Sequence, residues 1–280
     1  MTTITIAQII EDVKDLPTLP AVVMEILNCI DQENIDTHEL ANKVSHDIAL
    51  TAKTLRYANS AYYSTMVKVT TIQQAISLLG LTTVRQLIVS AALTGCFPEN
   101  NCPGFNHKHF WRHSNMVGIV ARILARRLSV NQDVAFTAGL LHDLGTLVLV
   151  SYHSEQYAQV IVWQTDHQAT QFQAERQVLG IDHAAVGEEL ARQWNFSDQM
   201  IHAIAGHHQP DKPGLGYLAT IIHAANGITH ALCLSDTEDQ TAAEISAQTW
   251  ESLGLDQESL DQVFQEASLE FKKLESQIEV

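Results

Sequence analysis

Histidine is the residue type whose number and placement suggest chemistry. The chain of 280 residues contains 14 histidines, and twelve of them lie between His107 and His230. Imidazole and carboxylate groups on apolar helix faces or at helix ends are difficult to solvate, and so they must be satisfied by hydrogen bonds or by a metal ion. Histidines in such contexts are therefore candidate metal ligands.

Six residues combine a ligand side chain with such a context: His113, His142, Asp143, His183, His207 and His208. His113 lies on the apolar stripe of a long predicted helix, and His142–Asp143 ends an apolar helix just before a glycine. His183 follows a predicted N-cap, and His207–His208 ends another helix. Nitrogen and carboxylate ligands together favour Fe, Mn, Zn or Ni over Ca or Mg. A single histidine of this kind is more often a hydrogen-bonded core residue. The spacings between these residues match no i, i+4 metal-binding motif. They therefore do not decide between metal ligands and hydrogen-bonded core residues.

Composition narrows the classes of partner. The formal charge is -16, and no basic stripe occurs, so duplex DNA, long RNA and anionic membranes are poor partners. A small phosphorylated ligand remains open, because bound cations can invert the local field. No apolar run approaches the length of a membrane helix, and the N-terminus lacks the features of a signal peptide. We therefore expect a soluble, cytoplasmic protein. Its four cysteines form no C-x-x-C pair and are typical of a reducing compartment.

The elements that must position these residues are predicted to be helices. Proline occurs in three clusters only, and the apolar spacing between them has the helical period. Asp36 with Glu39 and Thr241 with Glu244 form capping-box patterns, and Asp182 and Ser197 are predicted N-caps. Predicted C-caps are Gly80, Gly95, Gly145 and Gly180. Only residues 66–71 could form a short extended piece, and so the predicted fold class is all-α.

Turn-forming residues cluster at 97–104 and indicate the main boundary. We predict an N-terminal helical subdomain over 1–100 and a helical bundle with the histidine cluster over 101–235. Acidic C-terminal helices over 236–280 are expected to pack on the bundle. Their apolar stripe comprises Leu260, Val263, Phe264, Ala267, Phe271 and Leu274. A helix that binds a partner protein is the alternative interpretation of this stripe.

From about residue 10 to 235 the sequence resembles the HDOD family, a bacterial relative of the HD and HD-GYP metal-dependent phosphohydrolases. The N-terminal motifs that carry the resemblance are LPTLP (16–20), ALTAKTLRYANSAYYS (49–64) and AISLLGLTTVRQLI (75–88). Those around the histidines are FWRHS, LLHDLG, DHAAVGEELARQW (182–194) and AIAGHHQP (203–210). The resemblance implies an N-terminal helical subdomain packed on an HD-like bundle. It also implies a signalling or regulatory role in the bacterial cytoplasm.

The same resemblance implies roles for individual residues. His113 takes the place of the first HD histidine, and His142–Asp143 is the HD pair, with Asp143 the candidate catalytic residue. The three remaining histidines resemble those that hold a second metal in HD-GYP enzymes: His183, His207 and His208. The expected cofactor is thus one or two divalent ions of Fe, Mn, Zn or Ni.

At two positions this sequence differs from the motifs of the HD and HD-GYP phosphohydrolases. Asn226 stands where the last helix of the bundle normally supplies an aspartate ligand, and Thr146 stands where HD-GYP proteins have a lysine. Asparagine is neutral and a weaker ligand for a transition metal. Arg112 and Lys108 are the candidate phosphate-binding residues, on sequence proximity alone.

Three functions remain open at this point. The departures favour a regulatory HDOD protein with a partly retained metal site, whose partners are other signalling proteins. The alternative is an active metal-dependent phosphohydrolase acting on a nucleotide or cyclic dinucleotide. The third is a sensor that binds a small nucleotide or a metal without chemistry.

Overall fold

The structure is a computed structural model, and it describes residues 7–9, 11, 19–28, 36–60, 68–97, 102–233 and 245–278. Every regular element within these residues is an α-helix, which confirms the predicted fold class. Residues 68–70 form no regular structure, and the first two residues of the predicted extended piece lie outside the described residues. Contacts group the chain into two compact units: 17–98 with 270–280, and 1–16 with 99–269. The three-part division made from the sequence stays a prediction.

The smaller unit contains five helices in its first segment: α1 (Ala21–Asn28), α2 (Thr37–Ser45), α3 (Ile48–Ala58), α4 (Ile72–Leu79) and α5 (Leu81–Cys96). Asp36 caps α2 by accepting hydrogen bonds from the backbone N–H groups of His38 and Glu39. Gly80 ends α4 with a φ of 85°, as its C-cap prediction requires. Helix α3 packs against α5.

The larger unit holds the histidine cluster. Its helices are α6 (His107–Arg127), α7 (Gln132–Leu141), α8 (Leu144–Tyr152), α9 (Ser154–His167), α10 (Gln171–Leu179), α11 (His183–Gln193), α12 (Asp198–Gly206), α13 (Gly216–Cys233), α14 (Ala247–Leu253) and the first part of α15 (Gln257–Ile278). Helix α6 packs against α7 and α13, α8 against α11, α11 against α12, and α12 against α13. Since α7 runs into α8 through a two-residue turn, these helices form a closed ring.

Two pairs of glycines bring helices of the ring into backbone contact. A Cβ at Gly139 of α7 would lie 2.8 Å from the Cα of Gly118 in α6. A Cβ at Gly145 of α8 would collide with the His183 carbonyl and lie 2.7 Å from the backbone nitrogen of Gly187, both in α11. Only glycine permits these approaches, because any other residue would force the helices apart.

The predicted cap of Gly145 is therefore wrong, since this residue lies in the first turn of α8. The prediction for Gly95 is also wrong, because α5 continues to Cys96. In both cases a glycine inside a helix was mistaken for its end. Gly180 does end α10, with a φ of 73°. Asp182 accepts a hydrogen bond from the backbone N–H of Ala185, as predicted for an N-cap.

Ser197 is the N-cap of α12, as predicted. The Thr241–Glu244 pair lies outside the described residues.

Two helices, α14 and α15, form the described part of the acidic C-terminal segment, which was predicted to be helical. On the predicted stripe, Val263 and Ala267 are buried completely and Phe271 is 6% exposed. Arg126 of α6 and Glu266 of α15 form an ion pair.

One stretch of the described residues, Gln132–Tyr152, is long and apolar enough to cross a membrane. It contains α7 and α8, and 94% of its apolar 18-residue window is buried inside the fold. Such burial is that of a core segment.

Candidate metal centre

Asp143 is the residue around which the predicted site residues gather. It lies in the turn between α7 and α8 and is 9% exposed. Its Oδ2 atom is 3.2 Å from Nε2 of His142 and 3.9 Å from Nε2 of His113. Its Oδ1 atom is 3.2 Å from Nε2 of His183 and 3.4 Å from Nε2 of His207. One carboxylate therefore faces two separate groups of histidines.

The ring of helices explains how residues 65 positions apart in sequence meet. His142 is the C-cap of α7 and His207 the C-cap of α12, whereas His183 is the first residue of α11. His113 projects from the middle of α6. The close contact at Gly145 holds the beginning of α8 against the beginning of α11, and this places Asp143 beside His183.

His208 completes the second group. Its Nε2 atom is 2.8 Å from Nε2 of His183, and its ring lies against Phe172, with the ring centroids 4.6 Å apart. The ligand atoms thus form two sets, and the atoms within each set lie within 4.8 Å of one another. We call them the three-histidine side (Asp143, His183, His207 and His208) and the HD side (His113, His142 and Asp143).

In His142 and His207, a hydrogen bond at Nδ1 determines that the lone pair of the neutral ring is on Nε2, the nitrogen that faces the carboxylate. Nδ1 of His142 lies 2.7 Å from the carbonyl oxygen of Gly139, and Nδ1 of His207 lies 2.7 Å from that of Ile204. A carbonyl oxygen only accepts, so each Nδ1 carries the hydrogen and donates it. In the neutral ring each Nε2 then presents its lone pair to Asp143. A lone pair that faces a carboxylate favours a cation between the two, and this arrangement of donors is typical of metal-binding histidines.

Buried polar atoms without a partner mark the same place. Among the described residues, His142 Nε2, Asp143 Oδ1 and Asn226 Oδ1 are buried and have no hydrogen-bond partner. Nitrogen ligands about 2.1 Å from a tetrahedral metal ion are roughly 3.4 Å apart. The separations of 3.2 and 3.4 Å around Asp143 Oδ1 match this value. The residues therefore fit a transition metal.

A buried carboxylate supports the site from behind. Glu175 of α10 is completely buried, and its Oε2 atom accepts hydrogen bonds from the backbone N–H of His183, at 2.7 Å, and from Nδ1 of the same residue, at 2.6 Å. Its Oε1 atom accepts from the Tyr157 hydroxyl and from Nε2 of Gln171, each at 3.0 Å. The sequence analysis missed Glu175, because its position eight residues before His183 matches no motif.

The electrostatics of the cluster follow from burial and from the shared carboxylates. Burial lowers the pKa of His207 to about 4, and it holds the pKa values of His113 and His208 well below the ordinary value. Burial also lowers the pKa of His183, but the carboxylates of Glu175 and Asp143 outweigh burial and leave that pKa well above the ordinary value. In the metal-free protein, a protonated His183 thus supplies the positive charge that the pocket requires.

Helix α13 closes the HD side. Nδ1 of His223 donates to the carbonyl oxygen of His207, and the ring of His230 lies against that of His113, with centroids 4.8 Å apart. Asn226 lies between them in the sequence, on the same helix face at spacings of three and four, and is 4% exposed. Neither His223 nor His230 is among the predicted site residues. The spacing His223–Asn226–His230 was the signal that could have grouped them.

The two candidate phosphate-binding residues both lie on α6. Lys108 is exposed and Arg112 half-buried on α6, and Arg112 contributes, after burial, to a lowered pKa of His109. Their binding of phosphate stays a prediction. Thr146 is buried, and its hydroxyl accepts a hydrogen bond from Nε2 of Gln171 at 2.8 Å.

Comparison with known proteins identifies the family. The model of the HDOD domain matches residues 16–210, which is well over half of the chain. The chain belongs to the HDOD family. This confirms the resemblance seen in the sequence, and the HD-like bundle with its N-terminal helices is the fold of the family's solved members.

Two solved structures show the extent of the similarity. A candidate phosphohydrolase from Shewanella amazonensis is 28% identical and has a TM-score of 0.76, with 99% of this chain and 100% of that chain covered. An HDOD domain protein of unknown function from Geobacter sulfurreducens, 24% identical with a TM-score of 0.71, shares the fold over 97% of this chain and 95% of its own.

The curated relatives are longer proteins. An uncharacterized protein from Treponema pallidum is 25% identical over 72% of this chain, and ribonuclease Y from Geobacter sulfurreducens is 33% identical over 44% of it. The matched regions span 39% and 18% of the lengths of these two relatives.

Proposed function

We propose that the chain is a bacterial, cytoplasmic signal-transduction protein whose HD-like bundle binds a divalent transition metal at Asp143. One observation carries this proposal: the lone pairs of His142 and His207 point at the same buried carboxylate, and backbone carbonyls hold both rings in that orientation. His142 Nε2 and Asp143 Oδ1 are buried without a hydrogen-bond partner, and each such atom costs about 1–3 kcal/mol. A metal ion removes that cost.

The chain's own residues assign the roles. Asp143 lies between the two groups of histidines, and its ligand atom lies within 4.8 Å of those of His183, His207 and His208. Fe, Mn, Zn and Ni all suit this set of nitrogen and oxygen donors. We propose that metal occupancy determines how the protein interacts with other signalling proteins. A metal that binds only the native state stabilises that state.

Elemental analysis of anaerobically purified protein, prepared without chelators, tests the proposal. We expect one or two equivalents of Fe, Mn, Zn or Ni in the wild type and none in an Asp143→Ala variant. Replacing His167, an exposed histidine outside the cluster, by alanine is the matched control and should keep the metal. A folded wild-type protein that binds none of these metals after reconstitution would refute the proposal.

A second candidate function is metal-dependent hydrolysis of a phosphoester. It is favoured by the two oxygens of Asp143, each of which faces its own group of histidines, as a two-ion site requires. The Shewanella amazonensis relative, which matches the whole chain, is a candidate phosphohydrolase. A bound metal would polarise a phosphoryl oxygen and lower the pKa of a water molecule. Asp143 would hold the ions together.

Assays with nucleotides, cyclic dinucleotides and a chromogenic phosphodiester in the presence of Mn, Fe or Ni would test this second function. Turnover that requires metal and is lost in Asp143→Ala would establish it. The net charge of -16 argues that long RNA, the substrate class named by ribonuclease Y, is a poor substrate here. A nucleotide that raises the melting temperature without turnover would instead indicate a sensor.

A further inference from the structure

The two sides of Asp143 differ in how completely they are built. On the three-histidine side, Oδ1 is 3.2 Å from Nε2 of His183 and 3.4 Å from Nε2 of His207. Nε2 of His208 lies 2.8 Å from Nε2 of His183. On the HD side, Oδ2 faces only His142 at 3.2 Å and His113 at 3.9 Å. The position from which α13 would add a carboxylate holds Asn226, which is neutral.

The hydrogen bonds that hold the ligand residues in place are also more complete on the three-histidine side than on the HD side. Glu175 accepts from both the backbone N–H and Nδ1 of His183, so one carboxylate oxygen fixes the ring and the helix end that carries it. Tyr157 and Gln171 in turn fix Glu175. Among the described residues, the only carboxylate that pairs with His142 or His113 is that of Asp143. A negative charge behind a histidine raises its strength as a ligand.

We infer that the three-histidine side is the primary metal site of this protein, that the HD side binds an ion more weakly, and that Glu175 is the positioning residue of the primary site. The inference rests on the proposed function, because it assumes that the cluster binds a metal at all. It reverses the order suggested by the resemblance, in which the HD pair and the first histidine hold the first ion.

Titration of the metal-free, full-length protein with Co²⁺, followed by visible absorption, tests this order. We expect one tight equivalent in the wild type. His208→Ala should weaken it at least tenfold, whereas His113→Ala should change it less than threefold. Both residues are at the edge of the cluster rather than fully buried, and circular dichroism will verify that each variant folds. His113→Gln provides a second, bulkier replacement if the alanine variant does not fold.

The role of Glu175 has its own test. Glu175→Gln keeps the shape of the side chain and removes its charge, and loss of such a supporting group costs 10- to 100-fold in metal affinity. We expect a loss in this range with the Co²⁺ spectrum of the same shape, since the ligands are unchanged. Glu188→Gln, an amide replacement at a half-buried residue of α11 whose carboxylate pairs with Arg192, is the matched control and should bind like the wild type. A Glu175→Gln variant that melts earlier but binds Co²⁺ normally would show a purely structural role and refute the assignment.

The outcomes separate this inference from the proposed function. A wild type that binds no Co²⁺ and holds no other metal contradicts the proposed function itself. A wild type whose tight equivalent is lost in His113→Ala but kept in His208→Ala overturns the inference and leaves the proposed function intact. Two equivalents of equal affinity overturn it as well.

Discussion

Replacing Gly145 by alanine tests whether the contact between α8 and α11 holds the two groups of histidines at Asp143. The added Cβ would collide with the His183 carbonyl oxygen, and it would lie 2.7 Å from the backbone nitrogen of Gly187. Both atoms belong to the backbone, and so no change of rotamer relieves the collision. Helix α11 must therefore move away from α8, and His183 moves with it.

The size of the effect follows from two opposing contributions. Overpacking of a close-packed interior costs about 1–3 kcal/mol, and a collision with backbone belongs at the upper end. Alanine in place of glycine inside a helix returns up to about 1 kcal/mol. We expect the free energy of unfolding to fall by about 2 kcal/mol, which lowers the melting temperature of a unit of this size by roughly 4–8 °C.

The displacement also lengthens the 3.2 Å separation between Asp143 Oδ1 and His183 Nε2. Metal affinity should fall at least tenfold in the same variant. Urea unfolding of the metal-free protein measures the first effect, and titration with Co²⁺ measures the second.

Gly95→Ala is the matched control. A Cβ at Gly95 meets only the flexible end of Lys53, with Nζ at 3.2 Å. This variant should be as stable as the wild type or more stable by up to about 1 kcal/mol. If Gly145→Ala unfolds at the same urea concentration as the wild type and binds Co²⁺ equally well, the contact between α8 and α11 does not position the site.

Three further predictions concern the buried polar groups. Tyr157→Phe should lower the free energy of unfolding by about 1.5 kcal/mol in urea titrations, because Glu175 loses a hydrogen bond donated to a charged group; Tyr152→Phe, at an exposed position, should change it by less than about 0.5 kcal/mol. Asn226→Asp should destabilise the metal-free protein, since it buries another carboxylate, and should raise the number of Co²⁺ equivalents from one to two; an unchanged count would contradict the assignment of Asn226 to the HD side. A metal at 100 times its dissociation constant should stabilise the wild type by about 2.7 kcal/mol against urea, and Asp143→Ala should abolish this gain.

Much of the fold could be predicted from the sequence because the signals are local. The period of the apolar residues identified helices, and a capping side chain such as Asp182 marked where one begins. The mistaken cap at Gly145 has a clear cause. A glycine that ends a helix and a glycine that lets two helices touch look the same in a single sequence, and only packing distinguishes them. The prediction at Gly95 missed the end of α5 by one residue.

In the candidate site too, some features could be predicted from the local sequence, and others depend on how distant segments pack together. Each of the six predicted ligand residues was found from its own context, and the structure brings all of them to Asp143. Their division into two groups was implied by the family resemblance, but which oxygen of Asp143 faces α11 and α12 could not be predicted, because it depends on packing. Glu175 was missed for the same reason. Its partners, His183 and Tyr157, are set by how α10 packs rather than by any spacing in the chain.

The position of Thr146 connects these observations to function. HD-GYP enzymes have a lysine here, whereas this chain has a buried hydroxyl that accepts a hydrogen bond from Gln171. Gln171 also donates to Glu175, which fixes His183. A position that is cationic in those enzymes is thus occupied here by part of a network that orients a candidate metal ligand. The second departure, Asn226, is at a ligand position of the HD side, whereas His183, His207 and His208 are all retained. Both departures therefore leave the three-histidine side intact.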